Sequence, residues 1–325
     1  MAVPSHFSWD ILMLLAYNKA MSLLWRFFMK KSVRLLSVVF ILSLLNSSAF
    51  VLDAVSQSQK NFLWKVQSKT NTVYLLGSIH FLKKEVYPLH QKIETAFDKS
   101  DVLVVEANIN DIGKIDLQKL LDSVLYLNDE TLEKHVSSET YELTKKESGR
   151  LGLPLELINK QKPWFLALTF ESLELMKLGF DPNYGIDWYF LSKAKGKKIL
   201  ELESLDYQIN LLSQFSESDQ EQFLLYTLKG LNRFGEEVDQ LVRAWTSGDA
   251  KSVESIMAKT VTGDNRMSSV YEKLIVRRNR EMASRIEDLL KTKETYFVIV
   301  GAGHLVGGRG IVEILRGKGY SVEQL

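Results

Sequence analysis

The sequence predicts an α/β fold: a mixed, largely parallel central sheet with flanking helices and a helical insertion. Three observations predict it. Val73-Tyr74-Leu75-Leu76 and Tyr296-Phe297-Val298-Ile299-Val300 are short runs of β-branched, aromatic and aliphatic residues without polar alternation, the pattern of parallel strands covered on both faces. Each run leads into a Gly-x-x-His motif, Gly77-Ser78-Ile79-His80 and Gly301-Ala302-Gly303-His304, so a histidine follows each strand's carboxyl end, the edge at which open α/β sheets bind ligands. Between the motifs helical patterns dominate, which leaves the first and last thirds of the chain to supply most of the sheet.

The amino terminus reads as a processing segment. Arg26, Lys30, Lys31 and Arg34 form a basic region, Leu35 to Leu45 an apolar run, and Ser47-Ser48-Ala49 a small-residue cleavage site, which together make a signal peptide. At 1.5 Å per residue that apolar run covers roughly half of a bilayer core. Met29 before Lys30-Lys31 reads as the natural start. Residues 1–49 are therefore expected to be a leader, an upstream extension plus signal peptide, and residues 50–325 the exported, periplasmic domain. A membrane contact is expected only through an uncleaved leader, whose earlier run Ile11 to Tyr17 would lengthen it.

Phe62 to Val66 and Val73 to Leu76 read as paired strands around the polar turn Ser68-Lys69-Thr70-Asn71. A helix from Gln91 to Phe97 feeds a strand from Asp101 to Glu106. The helical insertion, at about 110–260, opens with one long polar helix, Asp129 to Arg150. Pro163 starts the next helix, which runs through Leu178 with Gly179 as its stop and Trp164, Phe165, Leu168, Leu175 and Leu178 as its buried face. Gly185 to Lys195 is a shorter helix leading into a strand, Lys198 to Glu203. Ser218 and Glu221 form a capping box for a helix to Leu231, and two short helices fill Glu236 to Lys259. A long helix, Ser268 to Lys291, the second motif strand, a helix from Gly310 to Arg316 and an edge strand from Tyr320 to Gln324 complete the pattern.

Composition narrows the function. A net charge of +1, with no basic block, gives no footing for nucleic acid. With no cysteine there is no disulfide, thiolate metal site, cysteine nucleophile or lipoprotein anchor, so any metal rests on nitrogen and oxygen. Of five histidines, His6, His90 and His135 lie in the leader or in polar helical contexts, leaving His80 and His304.

Four predicted strands thus end in His80, Glu106, Glu203 and His304. A carboxylate facing a crevice at a sheet edge is costly unless it binds something, although a strand end is also where solvent begins. Glu201 shares the face of Glu203 and is the alternative inward acid; Asp187 is either a site acid or a first-turn acid favoured by its helix dipole. On the long helix an apolar stripe of Val270, Leu274, Ile275, Met282, Ile286, Leu289 and Leu290 is interrupted by Arg278 and Asn279, which therefore face inward, while Arg277 and Arg280 face solvent. An inward arginine must meet a carboxylate or an anionic substrate group, so either reading sets it beside the site.

The motifs resemble the TraB/GumN family. The matching residues are Asn71 through His80, Val104-Val105-Glu106, Gly185-Ile186-Asp187, Leu202-Glu203-Ser204 with Gln208, Arg278-Asn279 with Met282, and Val300 through Gly307, in family order over residues 58 to 325. That family is related to the Tiki metalloproteases and more remotely to erythromycin-esterase and ChaN-like haem-binding proteins, which implies an EreA/ChaN-like fold.

Two imidazoles and one or two carboxylates, His80, His304, Glu106 and Glu203, make a ligand set suited to a divalent metal, Zn, Mn or Co, with a position left for water. Glu106, His80, His304 and Arg278 are the catalytic candidates. The Tiki resemblance implies a metal-dependent hydrolase of the peptidase kind, acting on an extracytoplasmic peptide or protein. The esterase relatives imply a metal-free variant with histidine as base. There is no His-Glu-x-x-His helix and no Gly-x-Ser-x-Gly elbow. The alternative is a protein without catalysis, haem- or iron-binding as the ChaN-like relatives imply or peptide-sequestering as the family's name-giving members imply, but convergent carboxylates favour hydrolysis.

Overall fold

Six strands form one sheet in the order β4-β3-β5-β2-β1-β6, where β1 is Leu63–Gln67, β2 Thr72–Ser78, β3 Val102–Val105, β4 Lys198–Glu201, β5 Tyr296–Gly301 and β6 Ser321–Gln324. The structure, a computed structural model, describes residues 60–262 and 267–325; the leader expected over residues 1–49 lies outside them. The strands β4, β3, β5 and β2 run parallel, and β1 is antiparallel to both β2 and β6. The second motif strand, β5, is buried along its whole length between β3 and β2, which is why it carries no polar alternation. Ser78 pairs with Gly301 in this register, so the two motifs leave the sheet side by side.

The hairpin turn is closed by Ser68, whose backbone N–H donates to the Asn71 carbonyl at 3.1 Å and whose hydroxyl accepts from the Thr70 and Asn71 N–H groups. Asn71 then reaches across the fold and donates to the Leu289 and Glu294 carbonyls at 2.8 and 2.9 Å, joining the hairpin to the end of the long helix. On one face of the sheet Phe97, Phe190 and Phe297 form an aromatic plug with ring centroids 4.8 to 5.5 Å apart. Burying each ring contributes about 1.5–3 kcal/mol.

Several predicted elements change shape. The helix expected from Asp129 to Arg150 is two, Leu132–His135 and Ser138–Leu151. Val136 and Ser137 are extended between them, and the Ser137 hydroxyl caps the second helix by accepting from the Thr140 N–H. Glu221, expected in a capping box with Ser218, instead accepts from the Ser137 N–H at 2.7 Å and the Thr140 hydroxyl at 2.8 Å, while Ser216 caps the helix Glu217–Gly230. Leu178 lies past the helix Pro163–Lys177 and is 38% exposed, not part of its buried face. The helix expected from Ser268 to Lys291 contains a π-turn, Glu272–Val276, between Met267–Tyr271 and Arg277–Leu289. Between β3 and β5 the described chain is mostly helical, with β4 at the sheet edge, and it includes three α-helices that the sequence left unassigned, Leu117–Val124, Leu155–Ile158 and Leu205–Ser213.

Candidate functional site

The site is built where the parallel strands end. After β2 the chain delivers His80, and the helix Ile186–Lys193 is seated on it by a 3.1 Å bond from the Ile186 N–H to the Ile79 carbonyl. Gly185 makes that approach possible: a Cβ there would collide with the His80 carbonyl. The seating brings Asp187, 3% exposed, onto His80, where its Oδ2 bonds to Nδ1. Gly77 is likewise obligatory, because a side chain would strike the Phe62 ring, and its carbonyl accepts from Trp245 Nε1 at 2.6 Å. Nothing in the sequence marks Trp245, which reads as an ordinary core residue.

Glu106 and Glu203 lie just beyond β3 and β4, held abreast by two further ladder bonds, Leu202 N–H to the Val105 carbonyl at 2.9 Å and Glu203 N–H to the Glu106 carbonyl at 2.7 Å. Arg278 spans both. Its Nε donates to Glu203 at 2.9 and 3.1 Å, its Nη2 to Glu203 at 2.7 Å and to Glu106, and its Nη1 to the Leu274 carbonyl at 3.1 Å. Gln208 Nε2 bridges the same carboxylates at 3.0 Å each, and the Gly301 N–H donates to Glu106 Oε2 at 3.0 Å. Glu201, the alternative inward acid, is exposed. Removing one partner from such a buried group typically costs about 3–5 kcal/mol, because the remaining charge is stranded. Burial alone would raise the Glu106 carboxyl, but Arg278, helped by His304, His80 and the Gly301 N–H, holds it down at about 2.

His304 lies in a single helical turn, Ala302–Leu305, and is fully buried. Asn279 fixes its tautomer. The Asn279 amide donates through Nδ2 to the Arg309 carbonyl at 2.8 Å, so its Oδ1 accepts from His304 Nδ1–H at 2.6 Å. His304 Nε2 therefore carries a lone pair. It lies 3.9 Å from Glu106 Oε1 and has no hydrogen-bond partner among the described residues. Burial lowers the imidazole to about 3, against the pull of Glu106 and with the help of Arg278 and His80, so it is neutral near pH 7. Arg278 and Asn279 thus face inward as the apolar stripe predicts, and Arg277 and Arg280 lie at the surface.

Two more buried atoms at this edge, Ser78 Oγ and Asp187 Oδ1, have no partner among the described residues. Leaving such a group unsatisfied costs about 1–3 kcal/mol, so three together mark a place where a ligand completes the structure. The donor set suits a divalent cation in part: each imidazole has its Nδ1 held by an outer acceptor, the arrangement usual for metal-ligating histidines, and two carboxyls, Glu106 and Glu203, face one guanidinium. Glu203, however, gives both oxygens to Arg278, and among the described residues no three His, Asp or Glu side chains are preassembled as a metal cage.

The TraB/PrgY/gumN family model matches residues 62–324. The chain is 26% identical over 247 residues to the uncharacterized protein YbaP of Escherichia coli, covering 75% of this chain and 87% of that one. It is 24% identical over 323 residues to a protein of Amphimedon queenslandica named Metalloprotease TIKI homolog, covering 82% of this chain and 62% of the relative. Against Metalloprotease TIKI1 of Danio rerio it is 24% identical over 315 residues, covering 82% and 64%. No solved structure matches the chain.

Proposed function

Since the chain belongs to the TraB/PrgY/gumN family, we propose that it is a metal-dependent hydrolase of the peptidase kind, exported by its leader and acting on an extracytoplasmic peptide or protein. The relatedness to proteins named metalloproteases supports a peptidase-like function, and one observation carries the reading at the site: the bare, neutral Nε2 of buried His304, 3.9 Å from the ionised Glu106. His304 through Nε2 and Glu106 through its carboxylate would hold the cation, which would supply Lewis acidity toward the scissile carbonyl. A lone pair lowered to about 3 binds protons poorly at neutral pH and so stays available to a cation.

His80 has the other role. Asp187 holds its Nδ1, which makes Nε2 the nitrogen that takes a proton from the attacking water and returns it to the leaving amine. In that step the water oxygen bonds to the carbonyl carbon and the C–N bond breaks. Arg278 acts at one remove, as the positioning residue that keeps Glu106 ionised and in place. A haem ligand would need an apolar slot beside the histidine. His304 instead borders Glu106 and Asn279, which supports hydrolysis over haem binding.

The test is hydrolysis of fluorescein-labelled casein by the metal-loaded chain, with and without chelator, beside elemental analysis of wild type and His304→Ala. The expected result is chelator-sensitive cleavage and one equivalent of metal that the variant loses. Equal metal content in both proteins, or cleavage indifferent to chelator, would overturn the metal assignment.

A further inference from the structure

Several buried hydroxyls in this protein donate to a backbone carbonyl four residues back. Ser100 donates to the Ala96 carbonyl at 2.8 Å, Thr144 to Thr140 at 2.8 Å, Ser148 to Thr144 at 2.6 Å and Thr169 to Phe165 at 2.9 Å. Ser78 is different: it is 3% exposed and its Oγ has no partner among the described residues. As the last residue of β2 it has no carbonyl one helical turn behind it. The backbone has little freedom to turn and relieve it, because Trp245 grips the Gly77 carbonyl and the ladder pairs Ser78 with Gly301.

The surroundings show what the hydroxyl is for. Ser78 stands across from Gly301, whose N–H holds Glu106, and two residues before His80. It is not set up as a nucleophile in this arrangement, since among the described residues no imidazole or carboxylate accepts its proton. It keeps that proton and can donate it.

We infer that Ser78 is a catalytic residue whose hydroxyl donates a hydrogen bond to the carbonyl oxygen of the scissile amide as that oxygen gains negative charge. The inference rests on the hydrolase reading and adds to it a donor of the oxyanion-hole kind, with the same edge supplying the proton acceptor at His80. A donor needed mainly in the transition state changes kcat far more than KM.

The experiment compares Ser78→Ala and Ser78→Thr with wild type, in the metal-loaded full chain on labelled casein, alongside thermal melting. Ser78→Ala should lose about 100-fold in kcat with KM unchanged within about twofold, the size of one lost oxyanion donor. Its melting temperature should stay level or rise, because the deleted hydroxyl has no hydrogen-bond partner among the described residues. Ser78→Thr, which keeps the donor, should recover most of the rate. Wild-type turnover by Ser78→Ala, or a lowered melting temperature in that variant, would overturn this inference alone. An inactive wild type would overturn the hydrolase reading and this role with it.

Discussion

At His304 and Glu106 the folded protein resists protonation that the unfolded chain accepts. Burial lowers His304 from 6.5 to about 3, against Glu106 and aided by Arg278 and His80; burial opposes but Arg278 carries Glu106 down from 4.5 to about 2. Both groups are depressed, so their stabilisation is present above the unfolded pKa and is lost as pH falls toward the folded one. As pH falls from 6.5, the unfolded state gains a proton at His304 that the native state refuses, at a cost near 1.4 kcal/mol per pH unit. Below 4.5 Glu106 adds a second slope. Urea unfolding of metal-free protein between pH 7 and 5 should show stability falling with acid, and His304→Gln should flatten that segment while leaving the steeper fall below 4.5. An unchanged slope in the variant would mean that His304 is protonated when folded. At this scale the sequence was informative where a local pattern was broken: Arg278 and Asn279 interrupt an apolar stripe, which an inward polar group must do. Asp187 gave no such sign. Its partner is His80, 107 residues away, and a first-turn acid looks the same whether or not anything meets it.

Among the elements, those with strong local signals read clearly. Every strand of the described residues was found to within a few residues, and β2, β3 and β5 most directly, because an unalternating apolar run bounded by polar turns admits few other structures. Helix interruptions were not. Ser137 breaks a polar helix because Glu221 from another helix holds its N–H, and no local window contains that carboxylate. The π-turn Glu272–Val276 is similar: Leu274, Ile275 and Val276 are all buried there, and the Leu274 carbonyl then accepts from Arg278. The most exacting junction is the start of the helix Ile186–Lys193. Gly185→Ala should drive Cβ against the His80 carbonyl, breaking the Ile186-to-Ile79 bond and drawing Asp187 off His80. Overpacking of this kind costs about 1–3 kcal/mol. The expected outcome is a lowered urea midpoint together with a shifted His80 Nδ1 resonance. Wild-type stability and an unshifted resonance would show that the helix is not seated there.

Across the whole molecule, the antiparallel side of the sheet is stitched from both ends of the described chain. β1 lies between β2 and β6, and the β6 side is closed by Leu325 N–H donating to the Leu63 carbonyl at 2.9 Å and Gln324 Nε2 donating to the Asn61 and Gly248 carbonyls at 2.9 and 2.6 Å. β6 is itself short and half exposed, with Glu323 and Gln324 on it, a polar edge of the kind that discourages pairing with other chains. Removing residues 320–325 would uncover β1, in which Leu63, Trp64 and Val66 are buried, and leave its outer backbone groups unpaired. Removing residues 1–49 leaves in place every strand of the described residues, since those six lie between Leu63 and Gln324. Sedimentation and thermal melting of the two truncations should therefore diverge: the first loses melting temperature and associates with increasing concentration, while the second melts like the full chain and stays monodisperse if the full chain does. If instead the amino-terminal truncation aggregated under conditions that keep full-length protein dispersed, residues 1–49 would be part of the folded domain and the leader assignment would fall.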